Sequence, residues 1–326
     1  MKSLTLAYVT ARKDPKIEWL FDSLAKQIEN QDVPLIVVDR HCDAARKVEF
    51  RNLHTKALLR FSGLDGIKLQ LFHVQPKPNV WNGPHRLTKE DWFAAASHRN
   101  TAICLCETSH IAFVDDLSVL MPGWLDAAYE AVEGDYVACG AYKKLKQLVV
   151  EGGVPVSYEE TEAGTDNRLS LVSKDVSECD GGWLYGCSVV GPVEAFLSVD
   201  GWPEMLCDSM GFEDCCMGIV LRNAGWHLKY DRRLLTLESD ELHFVEPAMR
   251  KEDWHFEDGV PVKGGNGSSD KSHAALAIAR QSKTFENAFG EGGIRALRDH
   301  VLAGNPFPIK QIPEHEWFTG QLISEL

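Results

Sequence analysis

No stretch of the 326-residue sequence comes near the roughly 20 consecutive apolar residues that a membrane-spanning helix requires. The apolar run at residues 4–9 is too short for a secretory signal and reads as a first strand. The nine cysteines are scattered, and neither Cys104/Cys106 nor Cys215/Cys216 has the spacing of a zinc knuckle or a redox dithiol. An odd cysteine count without a signal fits a reducing compartment, so a soluble, cytoplasmic protein is expected. Basic charge is also in short supply. A net charge of −14 excludes a general nucleic-acid backbone binder, leaving only a local basic groove. No internal repeats occur, which removes solenoid architectures.

What remains is a globular composition, 44% hydrophobic and 25% charged, in a chain long enough for one large α/β domain or two closely packed lobes. Residues 3–10 read as a strand. From Pro15 onward Ile17, Leu20, Phe21, Leu24 and Ile28 fall on one helical face, and residues 35–39 form a second strand. The connection length favours a parallel βαβ unit. A third strand is expected at 69–74, then a Pro-rich loop carrying Trp81, and a helix over 90–106. Residues 111–114 form a buried strand that ends in Asp115-Asp116. A helix follows from Trp124, then a strand at 136–141. Residues 152–180 show no clean period and read as an irregular excursion. Strands at 183–190, 226–230 and 234–237 are expected, with a short helix at 193–199 and a longer one opening at Glu213-Asp214. A Gly/Ser-rich tail segment, 263–269, precedes a helix at 272–281.

In an open α/β sheet, ligands bind outside the carboxyl ends of the strands, which is where Asp115 and Asp116 fall. Adjacent carboxylates repel one another unless a cation lies between them, which points to a divalent metal. Glu213-Asp214 opens a helix, where orphan amides and the helix dipole favour negative charge. That pair is either an ordinary acidic cap or a placed catalytic base.

In this order the pieces resemble a GT-A fold glycosyltransferase, similar to the inverting family-two enzymes that use nucleotide-sugars. The resemblance rests on Tyr8-Val9-Thr10-Ala11-Arg12, the strand ending at Asp39, and Ser97-His98-Arg99-Asn100 leading into Phe113-Val114-Asp115-Asp116. It is completed by Gly201-Trp202-Pro203 followed by Gly211-Phe212-Glu213-Asp214. It implies a Rossmann-like, mostly parallel central sheet flanked by helices. Residues 1–245 would form the catalytic domain, with a nucleotide-sugar half (1–125) and an acceptor half (126–245), and residues 246–326 would close over the donor.

By the same resemblance, Asp214 is the general base and Glu213 positions hydroxyls beside it. Thr10, Arg12, Asp39, Arg99, Asp115, Ser269 and Lys271 contact the donor, a UDP-sugar by default and a GDP-sugar as the other choice. Mn2+ or Mg2+ would be held by Asp115, Asp116 and His243, with His255 and His273 as weaker candidates. The family's usual acid-any-acid arrangement is broken by Leu117. Acceptors to consider are a glycan, a glycolipid, a protein or a modified nucleic acid. Trp183 and Trp202 are candidate sugar-stacking walls and Trp81 a mobile contact.

The chemistry calls for these groups. A metal neutralises the departing diphosphate, and a carboxylate within hydrogen-bond reach takes the proton of the attacking hydroxyl. Two other readings stand beside this one. A nucleotidyltransferase would carry a Gly-rich loop after its first strand, yet residues 10–15 contain no glycine. A non-catalytic nucleotide-sugar-binding module would not need Asp214.

Overall fold

The computed structural model describes residues 2–28, 32–61, 69–77, 94–204, 212–240, 254–257, 260–263, 275–285, 287 and 289–308. The first half is built as its hydrophobic pattern dictates. Strands β1 (Leu4–Thr10), β2 (Val33–Asp39), β3 (Leu69–Val74) and β4 (His110–Asp115) lie parallel in the order β3-β2-β1-β4. Every residue of β1 is buried, because both faces of the sheet are covered. Leu4, Leu6 and Tyr8 enter one apolar cluster with Leu20, Phe21 and Leu24 of helix α1 (Ile17–Ala25). Ala7 and Val9 enter the other, against helix α3 (Ala95–Leu105). Between β2 and β3 runs helix α2 (Ala44–Phe61), which the sequence pattern does not announce. Only Phe50, His54 and Ala57 of its 18 residues are buried, a stripe too narrow to stand out from its charged background.

The second half departs from a mostly parallel sheet. Among the described residues the main sheet has ten strands joined by four parallel and five antiparallel pairings. After β5 (Ser118–Leu120) and helix α4 (Trp124–Gly134), β6 (Val137–Glu151) folds back on β7 (Val154–Thr165). This hairpin corrects the irregular excursion expected there. Gly152 and Gly153, at φ 53° and 69°, supply the two left-handed residues that a two-residue hairpin turn demands.

A short helix α5 (Arg168–Leu171), strand β8 (Val176–Glu178) and a 3-10 turn, Gly181–Trp183, lead to β9 (Ser188–Pro192). β9 runs antiparallel to both β4 and β6 and so joins the two halves of the sheet. Helix α6 (Val193–Ser198) and helix α7 (Glu213–Asn223) precede β10 (Leu228–Ser239). Two late strands were expected where this single one runs. Its pairing with β6 shifts register between Asp231 and Leu235, and that bulge breaks the apolar run in two. Strands β11 (Trp254–Glu257) and β12 (Val260–Lys263) form a separate two-stranded sheet.

Helix α8 (Gly293–Leu302) packs on α3, with Ile294 and Leu297 buried in the same apolar cluster. The carboxylate of Asp200 accepts from the Ile294 amide (2.8 Å) and the Asn287 amide (3.0 Å). The Asn287 side chain donates to the carbonyls of Asp200 and Trp202. The C-terminal residues thereby hold the 200–204 loop against α3. No helix among the described residues is long and apolar enough to cross a membrane.

Candidate active site

Three neighbouring strands end level with one another. The parallel register sets Thr10 beside Asp39 and Val9 beside Asp115, so the carboxyl ends of β1, β2 and β4 open at one edge. Asp116 follows β4, and Leu117 then turns the chain at φ 57°, its side chain buried with Val119, Leu145 and Leu237. A left-handed leucine costs about 1–2 kcal/mol, offset here by that apolar burial.

The two adjacent aspartates have different surroundings. Asp116 is buried and accepts from Thr10 Oγ1 (2.7 Å) and Arg12 Nε (3.1 Å). Burial raises its carboxyl above the ordinary value, against the pull of Arg12 and Thr10. Asp115 keeps 20% of its side chain exposed and accepts from Arg99 Nη2 at 2.8 Å.

Arg99 is the hub. It is buried on α3, its guanidinium lies 4.5 Å over the Trp202 ring, and its Nη1 reaches Glu213 Oε1 at 3.2 Å. Burial opposes its charge, but Asp115, Glu213 and Asp214 together outweigh burial and hold it protonated. The room for it comes from Gly186, where a β-carbon would fall 2.1 Å from Nη2.

Helix α7 is set by another close approach. A β-carbon at Gly218 would stand 2.0 Å from the Gly181 carbonyl oxygen, so helix and 3-10 turn touch backbone to backbone. This brings the first turn of α7 against residues 185–186. Asp214 Oδ1 accepts from the Cys215 amide (2.7 Å) and Oδ2 from the Gly186 amide (3.2 Å). Burial, and then the charge of Glu213, push the Asp214 carboxyl up to about 6, against Arg99 and the two amides.

These groups line one cavity of about 180 Å³: Arg12, Arg99, Asp115, Asp116, Glu213 and Asp214 share its wall. Two acidic pairs about a hundred residues apart in sequence thus face one space. Thr10 and Asp39 stand behind it. Asp39 is fully buried, and burial is overcome by His73 Nε2 (2.9 Å) and Arg46 Nε (2.5 Å), which hold its carboxyl below the ordinary value. Arg46 also donates to the carbonyls of Arg12 and Lys13, so Asp39 anchors the loop that carries Arg12. His243, Ser269, Lys271, Trp81 and His273 lie outside the described residues, and His255 falls on β11. Trp202 is buried beneath Arg99, and Trp183 packs edge-on against Tyr230 at 5.7 Å; neither lines the cavity.

The sequence did not single out four more of the cavity's lining residues: Tyr142 and Lys144 from β6, Tyr185 before β9, and Glu238 from β10. Glu238 is 4% exposed and accepts from Thr236 Oγ1 at 2.9 Å. Burial pushes it up to about 7, against Lys144 and reinforced by Asp115. Its signal was a carboxylate inside an otherwise apolar strand, Leu234-Leu235-Thr236-Leu237-Glu238. Among the described residues no group of three or more His, Cys, Asp or Glu side chains is placed to hold a metal ion.

No family model and no curated relative matches the sequence. Solved structures do share its fold. S. aureus TarS 1–349 in complex with UDP-GlcNAc aligns with 97% of this chain and 78% of its own, at 16% identity and a TM-score of 0.52. The same protein in complex with UDP aligns with 93% of this chain and 70% of its own, at 15% identity and a TM-score of 0.51. The chain therefore has an α/β architecture like that of a protein solved with UDP and with a UDP-sugar bound.

Proposed function

We propose that this chain is a glycosyltransferase that moves a sugar from a nucleotide-diphosphate donor, a UDP-sugar, to an acceptor hydroxyl with inversion at the anomeric carbon. One observation carries the reading: the buried Arg99 guanidinium bridges Asp115, at the end of β4, and Glu213, beside Asp214, across one cavity. The fold shared with UDP-bound TarS supports the donor class.

The acceptor hydroxyl attacks the anomeric carbon as the carbon–oxygen bond to the diphosphate breaks, and the electron pair leaves with the phosphate. The hydroxyl proton passes to Asp214. A carboxyl that titrates near 6 is ionised at neutral pH yet basic enough to accept that proton. Glu213 and Arg99 fix the geometry of that side, and Arg12, locked on Asp116, faces the donor. Asp39 serves the nucleotide side through Arg46 and the loop it holds.

The carboxylates suit a hard cation shared with substrate. Asp116 is engaged by Thr10 and Arg12, whereas Asp115 Oδ2 takes no hydrogen bond from the described residues. Magnesium-like ions are bound through one or two carboxylates plus substrate phosphates rather than in all-protein cages, which agrees with the lack of a three-ligand group among the described residues. Asp115 would hold such an ion, Mn2+ or Mg2+, with His243 as a further ligand, and the ion would neutralise charge on the leaving diphosphate. The cavity is smaller than the roughly 300–1,000 Å³ of complete ligand sites, so it takes the reacting ends of donor and acceptor rather than the whole of either.

Melting temperatures measured with UDP-, GDP- and CMP-sugars, with and without Mn2+, test the proposal. A UDP-sugar with Mn2+ should give the largest rise, because stabilisation grows with occupancy. Proton NMR of the product should then show inverted anomeric configuration. A response confined to CMP-sugars without metal overturns the reading.

A further inference from the structure

One wall of the cavity is aromatic and is braced from behind by a buried ion pair. Arg168 and Asp166 are 3% and 2% exposed and bonded through Nε and Nη2 at 2.8 Å. The Arg168 guanidinium also donates to the carbonyls of Gly140 (2.7 Å) and Trp183. It lies 4.1 Å over the Tyr185 ring and 4.8 Å over the Tyr230 ring. Removing a charge pair from water is costly, and apolar residues would fill the same space at less cost. What the pair supplies is a fixed cationic plate against one face of Tyr185. Tyr142 meets Tyr185 edge-on at 5.8 Å, and both half-buried rings line the cavity. Tyr185 immediately precedes Gly186, whose amide holds Asp214 Oδ2. The ring and the proposed base Asp214 thus line one cavity, together with Lys144 and Glu238.

We propose that Tyr185, held by Arg168, is the platform on which the acceptor lies, and that the acceptor is a carbohydrate ring rather than a peptide, lipid or nucleobase. The inference rests on the transferase reading and names its acceptor class. A pyranose presents an apolar C–H face to an aromatic ring and a rim of hydroxyls to polar groups, and this wall offers both. A ring stacked on Tyr185 would lie in the cavity that Asp214 also lines. Arg168 is a positioning residue that acts through the ring.

The test uses the full chain with UDP and Mn2+ on an array of immobilised oligosaccharides, beside peptide and lipid arrays. The wild-type protein should bind a subset of oligosaccharides. Tyr185→Ala should weaken that binding at least tenfold, about 1.4 kcal/mol, and Tyr185→Phe should stay within about twofold. Arg168→Lys, which keeps the charge but loses the planar stack, should fall between them. In transfer assays the loss should appear in acceptor KM with donor KM unchanged. If Tyr185→Ala does not fold, Tyr185→Leu retains bulk without a π face and replaces it.

Equal binding by wild type and Tyr185→Ala, a loss in Tyr185→Phe as large as in Tyr185→Ala, or wild-type binding to none of the oligosaccharides overturns the inference. Slow hydrolysis of the donor by water is followed in parallel. Its absence in the wild type, with Tyr185-dependent oligosaccharide binding intact, refutes the transferase reading and leaves the carbohydrate platform standing.

Discussion

Replacing Asp214 with Asn should stop sugar transfer and, above neutral pH, make the folded protein more stable. The carboxyl titrates near 6 in the fold against an ordinary 3.8, with burial the largest cause and Glu213 the next. The folded state holds the proton more tightly than the unfolded one, so stability falls as pH rises from about 4 to about 6 and stays reduced above that. At about 1.4 kcal/mol per pH unit of separation, the ionised carboxylate costs about 3 kcal/mol at pH 8. Asparagine removes the charge but not without loss. Its single carbonyl oxygen can accept from Cys215 or from Gly186, not both, and the lost bond costs about 1 kcal/mol. The net gain is therefore about 1–2 kcal/mol at pH 8, and it vanishes or reverses at pH 4.5, where the native carboxyl is already protonated. Urea midpoints of both proteins at the two pH values read this directly, and transfer rates should fall about 10²- to 10⁴-fold. A variant less stable than wild type at pH 8, or one that keeps a tenth of the transfer rate, refutes the reasoning.

Wild-type stability should rise as pH falls from about 8.5 to 6.5, because burial raises Glu238 to about 7 and Asp214 and Asp200 to about 6, and the rise should be checked below that by His98, which burial holds down to about 4. It should fall again below about pH 4 as Asp39, held low by His73 and Arg46, takes up a proton; a urea midpoint that climbs steadily from about pH 6.5 to 8.5 contradicts this. Gly186→Ala forces a methyl group onto Arg99 Nη2 and should cost about 1–3 kcal/mol along with most activity, seen as a lower melting temperature and slower donor turnover. Arg12→Ala leaves Asp116 buried without its guanidinium and should destabilise the fold by about 3 kcal/mol, whereas Arg12→Ala with Asp116→Asn should recover at least half of that in the same melting assay.

Where periodicity and burial coincide, the sequence was readable. The run ending at Asp115, the helix beginning at Glu213 and the βαβ opening all have unbroken apolar faces. The residues that complete the cavity do not announce themselves in the same way. Tyr142 and Lys144 sit on β6 beyond the point where its apolar run stops, and Glu238 interrupts the end of β10. Each is meaningful only once β9 and β10 bring it beside Asp115, a pairing that no local pattern encodes. The Gly152-Gly153 turn was a legible signal, set between valine-rich segments, and reading it would have revealed the hairpin. Stacking roles went the other way. Trp202 carries the larger ring, yet Arg99 covers it, and the smaller Tyr185 faces the cavity.

The clasp at Asp200 has a consequence for how the protein is made. Trp202 sits beneath Arg99 in a loop pinned on one side by Asn100 of α3 and on the other by Asn287 and Ile294. A nascent chain that has emerged only as far as β10 owns every carboxylate of the cavity but lacks the bolt behind Trp202. The loop behind the guanidinium is therefore complete only once residues 287–294, translated long after Trp202, have closed on it.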